Sequence, residues 1–394
     1  MRTIQWLLAI VSLLMTIGTA VASQLDDARA LYARGDFVQA SQLFAPLAQQ
    51  GNTTAQIYLG EMFKEGKGLK KDPQRAIEWF KVAAEKGDPT AQNNLGNMYF
   101  DGEGIPKNFQ ESVKWHTLSA NQGNAAGQCN LALAYLYGQG VKKDLTIAMQ
   151  LFELSAKQGY ADAQYNLGYL YWEGAVVQQD LRRAANYFEL AAKQGDAEAQ
   201  SHLGTLYLSG EGVEKNYAEA FKWNQLAANQ NDAVGQNNLG AMNERGLGVP
   251  QNYAQAIHYY QLAAKSGNSL AQNDLGYLFY YGRGVTQNFA ESAKWFKLAA
   301  DQGYMDSQSM LGEMYINGKG VSKNYPEALR LNRLTAKQGD IAGINNLGIM
   351  YWDGLGVKQD LVEAARLFKI AIAKGSKEAE NNLQELLKNK RRGP

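Results

Sequence analysis

The chain has 394 residues, 45% of them hydrophobic and 20% charged, a balance that suits a folded protein and excludes a disordered or collagen-like one. Lys and Arg number 39 against 38 Asp and Glu, so no excess of positive charge points to nucleic acid or an anionic membrane. The single cysteine, Cys129, excludes an internal disulfide and a cysteine-built zinc site, and three histidines leave little for any other metal.

The chain opens with Arg2, an apolar run from Trp6 to Met15 broken only by Ser12, and the small residues Gly18 to Ala22. This is the pattern of a secretory signal, with Ala20-Val21-Ala22 as the cleavage motif and Ser23 as the first mature residue. The competing reading is an uncleaved anchor, since residues 4–22 are just long enough to span a bilayer. The expectation is a signal peptide over 1–22 and a mature, periplasmic or secreted protein with no integral membrane span.

Beyond it the sequence repeats itself. Leu59, Leu95, Leu131, Leu167, Leu203, Leu239, Leu275, Leu311, Leu347 and Leu383 stand 36 residues apart without an insertion. Nine repeats therefore begin at residues 55, 91, 127, 163, 199, 235, 271, 307 and 343. Numbering each from one, the repeat at Ala91 places Ala91, Leu95, Met98, Tyr99 and Gly102 on one face of a first helix. Position 18 is Asp or Asn in all nine (Asp72, Asn108, Asp144, Asp180, Asn216, Asn252, Asn288, Asn324, Asp360), as an N-cap for a second helix requires. Glu or Gln follows three residues later at Glu111, Glu219, Gln255, Glu291, Glu327 and Glu363, which predicts a capping box.

The second helix buries residues such as Trp115, His116, Ser119 and Ala120 and ends at a glycine in the left-handed conformation, Gly123 in this repeat. Asn231 is the departure at that slot. A glycine also recurs inside the first helix, as Gly96, where it costs about 1 kcal/mol against alanine. That cost implies a close approach, read here as one to alanine pairs such as Ala83-Ala84 and Ala299-Ala300, with Ala132 loosening the contact in its repeat. The loop reads Gly-x-Gly-Val, as at Gly210, Gly212 and Val213, and lacks the Lys-Ser/Thr that a phosphate cradle needs. Val176 fills the second glycine slot of the fourth repeat, so that loop must follow another path.

Leu-Gly-x-x-Tyr-x-x-Gly-x-Gly-Val, followed by Asp/Asn, Ala, an aromatic and Ala-Ala-x-x-Gly, resembles the Sel1-like repeat (SLR), a relative of the tetratricopeptide repeat. The resemblance covers residues 55–378 and implies an all-α protein, a right-handed α-solenoid superhelix of 36-residue helix-turn-helix repeats. Residues 23–54, with Tyr32, Gly35, Asp36, Phe37, Ala40, Phe44, Leu47 and Ala48, resemble a tetratricopeptide unit serving as an N-terminal cap. Residues 379–394 read as a capping helix (Ala379, Leu383, Leu386, Leu387), with Gln384 where glycine would stand, and a basic tail of Lys388, Lys390, Arg391 and Arg392.

On a helical wheel, positions 3, 7 and 10 of the first helix point away from the core positions. Position 10 holds Phe100, Leu136, Trp172, Leu208, Tyr280, Ile316 and Trp352, and position 7 holds Leu133, Tyr169, Tyr277 and Ile349. The resemblance implies that first helices line the concave side. Leu133, Leu136, Tyr169, Trp172, Tyr277, Tyr280 and Trp352 are therefore the candidate groove for a peptide or protein segment. The alternative is that these side chains pack on one another and support curvature. Second-helix residues such as Glu78, Lys114, Lys222, Lys294 and Arg330 form a solvated outer face.

Asn at position 4 (Asn94, Asn130, Asn166, Asn238, Asn346) and Gln at position 2 predict a ladder of hydrogen bonds between repeats, the alternative being contact with a bound peptide backbone. His202 shares position 4, His116 replaces a core phenylalanine and His258 lies outside, so the three do not converge. Cys129, at position 3, reads as a bystander thiol of the groove face.

Some cysteine-rich relatives in the family are described as penicillin-binding or β-lactamase-like. Their cysteine pairs are missing here, as are Ser-x-x-Lys and Gly-x-Ser-x-Gly. The expectation is a monomeric, non-enzymatic scaffold or adaptor without cofactor or metal, whose partner is a protein segment and not nucleic acid.

Overall fold

The structure, a computed structural model, describes residues 22–391, all of whose regular elements are helices. The signal segment lies outside the described residues except for Ala22, as do Arg392 and the end of the basic tail. Helix α1 covers 22–34 and pairs with α2 (Phe37–Gln49) as the cap. Repeats one to four follow as α3 (Thr53–Glu65) with α4 (Pro73–Glu85), α5 (Pro89–Asp101) with α6 (Phe109–Asn121), α7 (Ala125–Tyr137) with α8 (Leu145–Lys157), and α9 (Ala161–Glu173) with α10 (Leu181–Lys193). Repeats five to nine are α11 (Ala197–Ser209) with α12 (Tyr217–Asn229), α13 (Ala233–Arg245) with α14 (Tyr253–Lys265), α15 (Ser269–Tyr281) with α16 (Phe289–Asp301), α17 (Met305–Asn317) with α18 (Tyr325–Lys337), and α19 (Ile341–Asp353) with α20 (Leu361–Ala373). Helix α21 (Lys377–Arg391) is the last. The chain divides into two compact halves after Gln194.

Each pair is built the same way. The Asp or Asn at position 18 accepts a hydrogen bond from an amide of the first turn in all nine repeats, for example Asn108 from Glu111 at 3.1 Å. The reciprocal half of the capping box is not made. The backbone N–H of the capping residue donates instead to the carbonyl of position 9 in the first helix, Asn108 to Tyr99 at 2.8 Å and Asp360 to Tyr351 at 2.9 Å, which staples the loop to the hairpin. The glutamate three residues on, left without that donor, turns outward to a cation one turn ahead: Glu111 to Lys114, Glu327 to Arg330, Glu363 to Arg366.

The mid-helix glycine does admit a close approach, but its partner is the large side chain at position 26 rather than the alanine pair. A Cβ on Gly96 would stand 2.6 Å from the His116 ring, and one on Gly168 would stand 2.7 Å from Phe188. The alanine pair takes the start of the next repeat: a Cβ on Gly235 would stand 2.7 Å from Ala227. Thus glycine closes a hairpin and alanine closes the gap between hairpins. The resulting core is a row of fully buried rings, Phe80, Phe152, Phe188, Tyr260, Phe296 and Phe368.

The loop glycines adopt positive φ, 79° at Gly210 and 74° at Gly212, and the second of them packs its loop against the first turn of the preceding second helix, as Gly104 does on Pro73. In the fourth repeat Gly174 keeps φ 70° while Val176 does not adopt a positive φ, so the loop takes another course. Asn231 is the one non-glycine residue with positive φ among the described residues, at 64°.

Candidate functional site

Within each half, first helices of successive repeats touch one another, α5 with α7, α11 with α13 and α17 with α19, and so form the closely stacked side of the hairpins. Two polar ladders hold that stack. The Gln at position 2 donates to the carbonyl eight residues earlier, Gln56 to Ala48 at 3.0 Å and Gln272 to Ala264 at 3.1 Å. Its own oxygen accepts from a Gln at position 32, Gln158 to Gln128 at 2.8 Å. At position 4, Asn130 donates to Asn93 (2.9 Å) and Asn97 (3.0 Å), and Asn238 to Thr205 and Asn224 (both 2.9 Å). These amides are engaged between repeats.

Position 3 is covered in eight of the nine repeats, the half-buried Tyr165 being the exception. Asn93, Cys129, Ser201, Asn237, Asn273, Ser309 and Asn345 are all buried, because a first helix has neighbours on three sides: its own partner and the repeats before and after. Burial and the nearby Asp162 push the Cys129 thiol up to about 12, which keeps it protonated and unreactive at neutral pH. His116 is likewise buried and its ring is held down to about 4 by desolvation, so it is neutral. His258 is exposed and His202 contacts the carbonyl of Glu198 at 2.8 Å. Among the described residues no three His, Cys, Asp or Glu side chains gather as a metal would need, and no helix is long and apolar enough to cross a membrane.

The candidate groove residues divide into two sets. Leu136 and Tyr280 are buried, which corrects the reading of position 10 as free of the core. The cause is the loop, which brings the first residue of the second helix back over position 10: Tyr280 packs edge-on to Phe289 at 5.3 Å and Lys319 caps both rings. Leu133, Tyr169, Trp172, Tyr277 and Trp352 are half-buried. Tyr277 packs on Phe296 at 5.0 Å and donates to Asp306 at 3.0 Å, while Trp352 stands edge-on to Phe368 at 6.1 Å. On α9, Tyr169 lies 6.3 Å from Tyr165 and 5.7 Å from Trp172, so three aromatic rings run together along one helix face.

The second half holds a feature that the search for large apolar residues missed. The sixth repeat carries Ala241 at position 7, Asn243 at position 9 and Glu244 at position 10, where other repeats place bulk. Of these, Ala241 lines a cavity of about 340 Å³ between α11, α13 and α15, walled also by Leu208, Met242, Leu247 and Leu270, with Asn237, Arg245 and Asp274 among its polar residues. Tyr260 supports it from behind, its hydroxyl donating to Glu244 at 2.8 Å. Burial, reinforced by Glu244, raises the Asp274 carboxyl to about 6. The departure from the repeat pattern at 241–244 was the available signal.

Stacked helix pairs that line up their first helices along each half define an α-helical repeat scaffold. The Sel1 repeat profile matches nine times, over residues 53–88, 89–124, 125–160, 161–196, 197–232, 233–268, 269–304, 306–340 and 341–376. The chain belongs to the Sel1 repeat family. By structure it resembles c5321, a protective antigen present in uropathogenic Escherichia coli strains that displays an SLR fold: 31% identity, 94% of this chain and 88% of that one, TM-score 0.59. It also resembles a Sel1 repeat protein from Oxalobacter formigenes, with 33% identity over 77% of this chain and 88% of that one and a TM-score of 0.55. A signal-transduction ATPase with a tetratricopeptide repeat sensor from Pyrococcus horikoshii shares the fold alone, at 16% identity over 85% of this chain and 54% of that one, TM-score 0.50. No match is found among curated proteins by sequence. Sel1 and tetratricopeptide repeats mediate protein interactions.

Proposed function

We propose that this chain is an exported, monomeric, non-enzymatic scaffold that binds an extended segment of a partner protein along the first-helix face. The observation that carries the reading is the aromatic run Tyr165, Tyr169 and Trp172 on α9, half-buried and so presenting ring surface to a ligand while resting on the core ring of Phe188. Rigid aromatic groups of this kind supply much of the energy at interfaces, about 2 kcal/mol or more for each central anchor. Export follows from the apolar N-terminal stretch and its small-residue motif.

The test is selection of displayed peptides against the mature chain, followed by affinity measurement on Tyr169→Ala/Trp172→Ala. Binding should weaken by roughly tenfold or more. Leu190→Ala on the exposed side of α10 serves as control and should change nothing. Peptides whose affinity ignores the double substitution would reject the groove. Mass spectrometry of the protein from its native host should find Ser23 at the N-terminus, and a chromogenic cephalosporin should show no turnover that follows the purified protein.

A further inference from the structure

The near-neutral charge of the chain is unevenly spread. Residues 307–394 hold 14 Lys and Arg against 9 Asp and Glu, while the residues before them hold 25 against 29, so the positive excess gathers in the last two repeats and the final helix. It shows most plainly on the exposed face of α18. Positions 27 and 31 of a second helix stand one turn apart, and in four other repeats they carry opposite signs: Lys81 with Glu85, Glu153 with Lys157, Glu189 with Lys193, and Lys297 with Asp301. Three of these pairs close as salt bridges. The eighth repeat alone has two cations there, Arg333 and Lys337, both exposed. The helix dipole accounts for Lys337, since a cation in the last turn answers the carbonyl end, but not for Arg333 one turn earlier. The nearby acids are already committed. Glu327 holds Arg330 through two hydrogen bonds, at 2.7 and 2.9 Å, Glu363 holds Arg366 in the same way, and Asp301 is paired with Lys297. Arg333 donates to the neutral hydroxyl of Tyr351 at 3.4 Å. Among the described residues neither Arg333, Lys337 nor Lys369, which repeats position 27 on α20, forms a salt bridge.

The same cations border a hollow. Arg330, Arg333 and Lys337 line a surface cavity of about 420 Å³ whose other walls are Pro326, Leu329 and Leu334. Leu329 is buried and Leu334 is exposed, so apolar surface lies along the helix between the positive groups. We propose that this face of α18 is a second docking site, taken by an acidic segment of a partner protein that sets one apolar side chain against Leu329 and Leu334 and its flanking carboxylates on Arg333 and Lys337. Charge complementarity selects the acid, because Arg333 and Lys337 repel one another and have no acid of their own to offset it. A guanidinium grips a carboxylate through two parallel N–H donors, and clustered arginines are a common device for acidic segments. The hollow selects a polypeptide over a flat anionic bilayer, since it has depth for one side chain. The site lies on a second helix, so it goes beyond the groove reading and does not depend on it. With both faces occupied, one chain would hold two partners.

The test is titration of the mature chain with a fluorescent peptide, Glu-Glu-Leu-Glu-Glu, at about 20 mM salt. Binding should saturate, fall steeply by about 200 mM salt, and weaken at least roughly fivefold when every Glu of the peptide becomes Gln or its Leu becomes Ser. Lys337→Asp reproduces the arrangement of Lys297 and Asp301 in the preceding repeat. It should keep the melting temperature, pair Arg333 from within and weaken the peptide at least roughly fivefold. Lys157→Asp, at the same register position in the first half, changes the net charge equally and should leave the affinity unchanged. An affinity that ignores Lys337→Asp, or that the Gln peptide shares, overturns the proposal. Capture of the chain by phosphatidylglycerol vesicles without binding of the peptide also overturns it and gives the face to a bilayer. The two readings fail separately: a peptide that obeys Lys337→Asp and ignores Tyr169→Ala/Trp172→Ala belongs to this face, and its absence leaves the groove untouched.

Discussion

The fourth and sixth repeats share one backbone plan and put opposite things on it. At positions 7 and 10 the fourth has Tyr169 and Trp172, which rise as a run of rings, and the sixth has Ala241, which lines a hollow, and Glu244, which accepts from Tyr260. Both have a mid-helix glycine under a core ring, both have a capped second helix, and both tie that cap to position 9 of the first helix. Two side chains per repeat therefore decide whether a first helix offers a ridge or a hole, while the rest of the repeat holds the helix in place. A solenoid built this way can change its recognition surface without disturbing its core.

The comparison fails if the shared plan is not shared, and the strongest test strikes both repeats at the same point. A Cβ on Gly168 would stand 2.7 Å from the Phe188 ring, and one on Gly240 would stand 2.6 Å from Tyr260. Alanine is already tolerated in this slot at Ala132, so the larger valine is the sharper probe. Gly168→Val and Gly240→Val should each cost about 3 kcal/mol, read as a fall in the midpoint of urea unfolding. If one repeat absorbs the change and the other does not, the two hairpins are packed differently and the contrast at positions 7 and 10 loses its common frame.

A smaller effect separates hole from ridge. Asp274 has its carboxyl raised from 3.8 to about 6 by burial. Between those values the folded protein retains a proton that the unfolded chain releases, so stability should fall as pH rises from 4 to 6, and the loss is complete above that window. The full shift corresponds to about 3 kcal/mol, and because Asp274 is half-buried, solvent reduces the expected loss to about 1–2 kcal/mol. Asp274→Asn should recover this at pH 7 and flatten the dependence, as thermal melts across pH 4–7 would show.

Much of this architecture was legible because its signals are local. The period, the N-cap at position 18 and the left-handed residue at Gly123 depend on chemistry within a few residues, and each stands where the sequence places it. What was not legible depends on groups brought together from elsewhere. The capping box was expected from Glu111, but Asn108 gives its N–H to Tyr99, nine residues away. Positions 3 and 10 were assigned to an open face on the geometry of one helix, yet Cys129 is covered by adjoining repeats and Tyr280 by Phe289. The hollow at Asn237 escaped because a search for large residues cannot find a site made by small ones.

The finest test exchanges the residues that lead into the two regions. Gly159, at φ 85°, precedes the first helix of the fourth repeat, and Asn231, at φ 64°, holds the same slot before the sixth. Both are left-handed, a conformation in which any Cβ crowds the following carbonyl and which Asn tolerates better than other residues that carry one. No other group lies within 4 Å of the place a Cβ would take on Gly159, so an exchange there changes backbone strain and little else. Asn231→Gly should stabilise the fold by a few tenths of a kcal/mol, and Gly159→Asn should destabilise it by a similar amount. Equal and opposite shifts in chemical denaturation would show that both repeats are reached through the same turn carrying different residues. A loss of stability from Asn231→Gly would mean that the asparagine side chain contributes a contact which the turn alone does not require, and the sixth repeat would then differ from the fourth in the turn that leads into it as well as in its face.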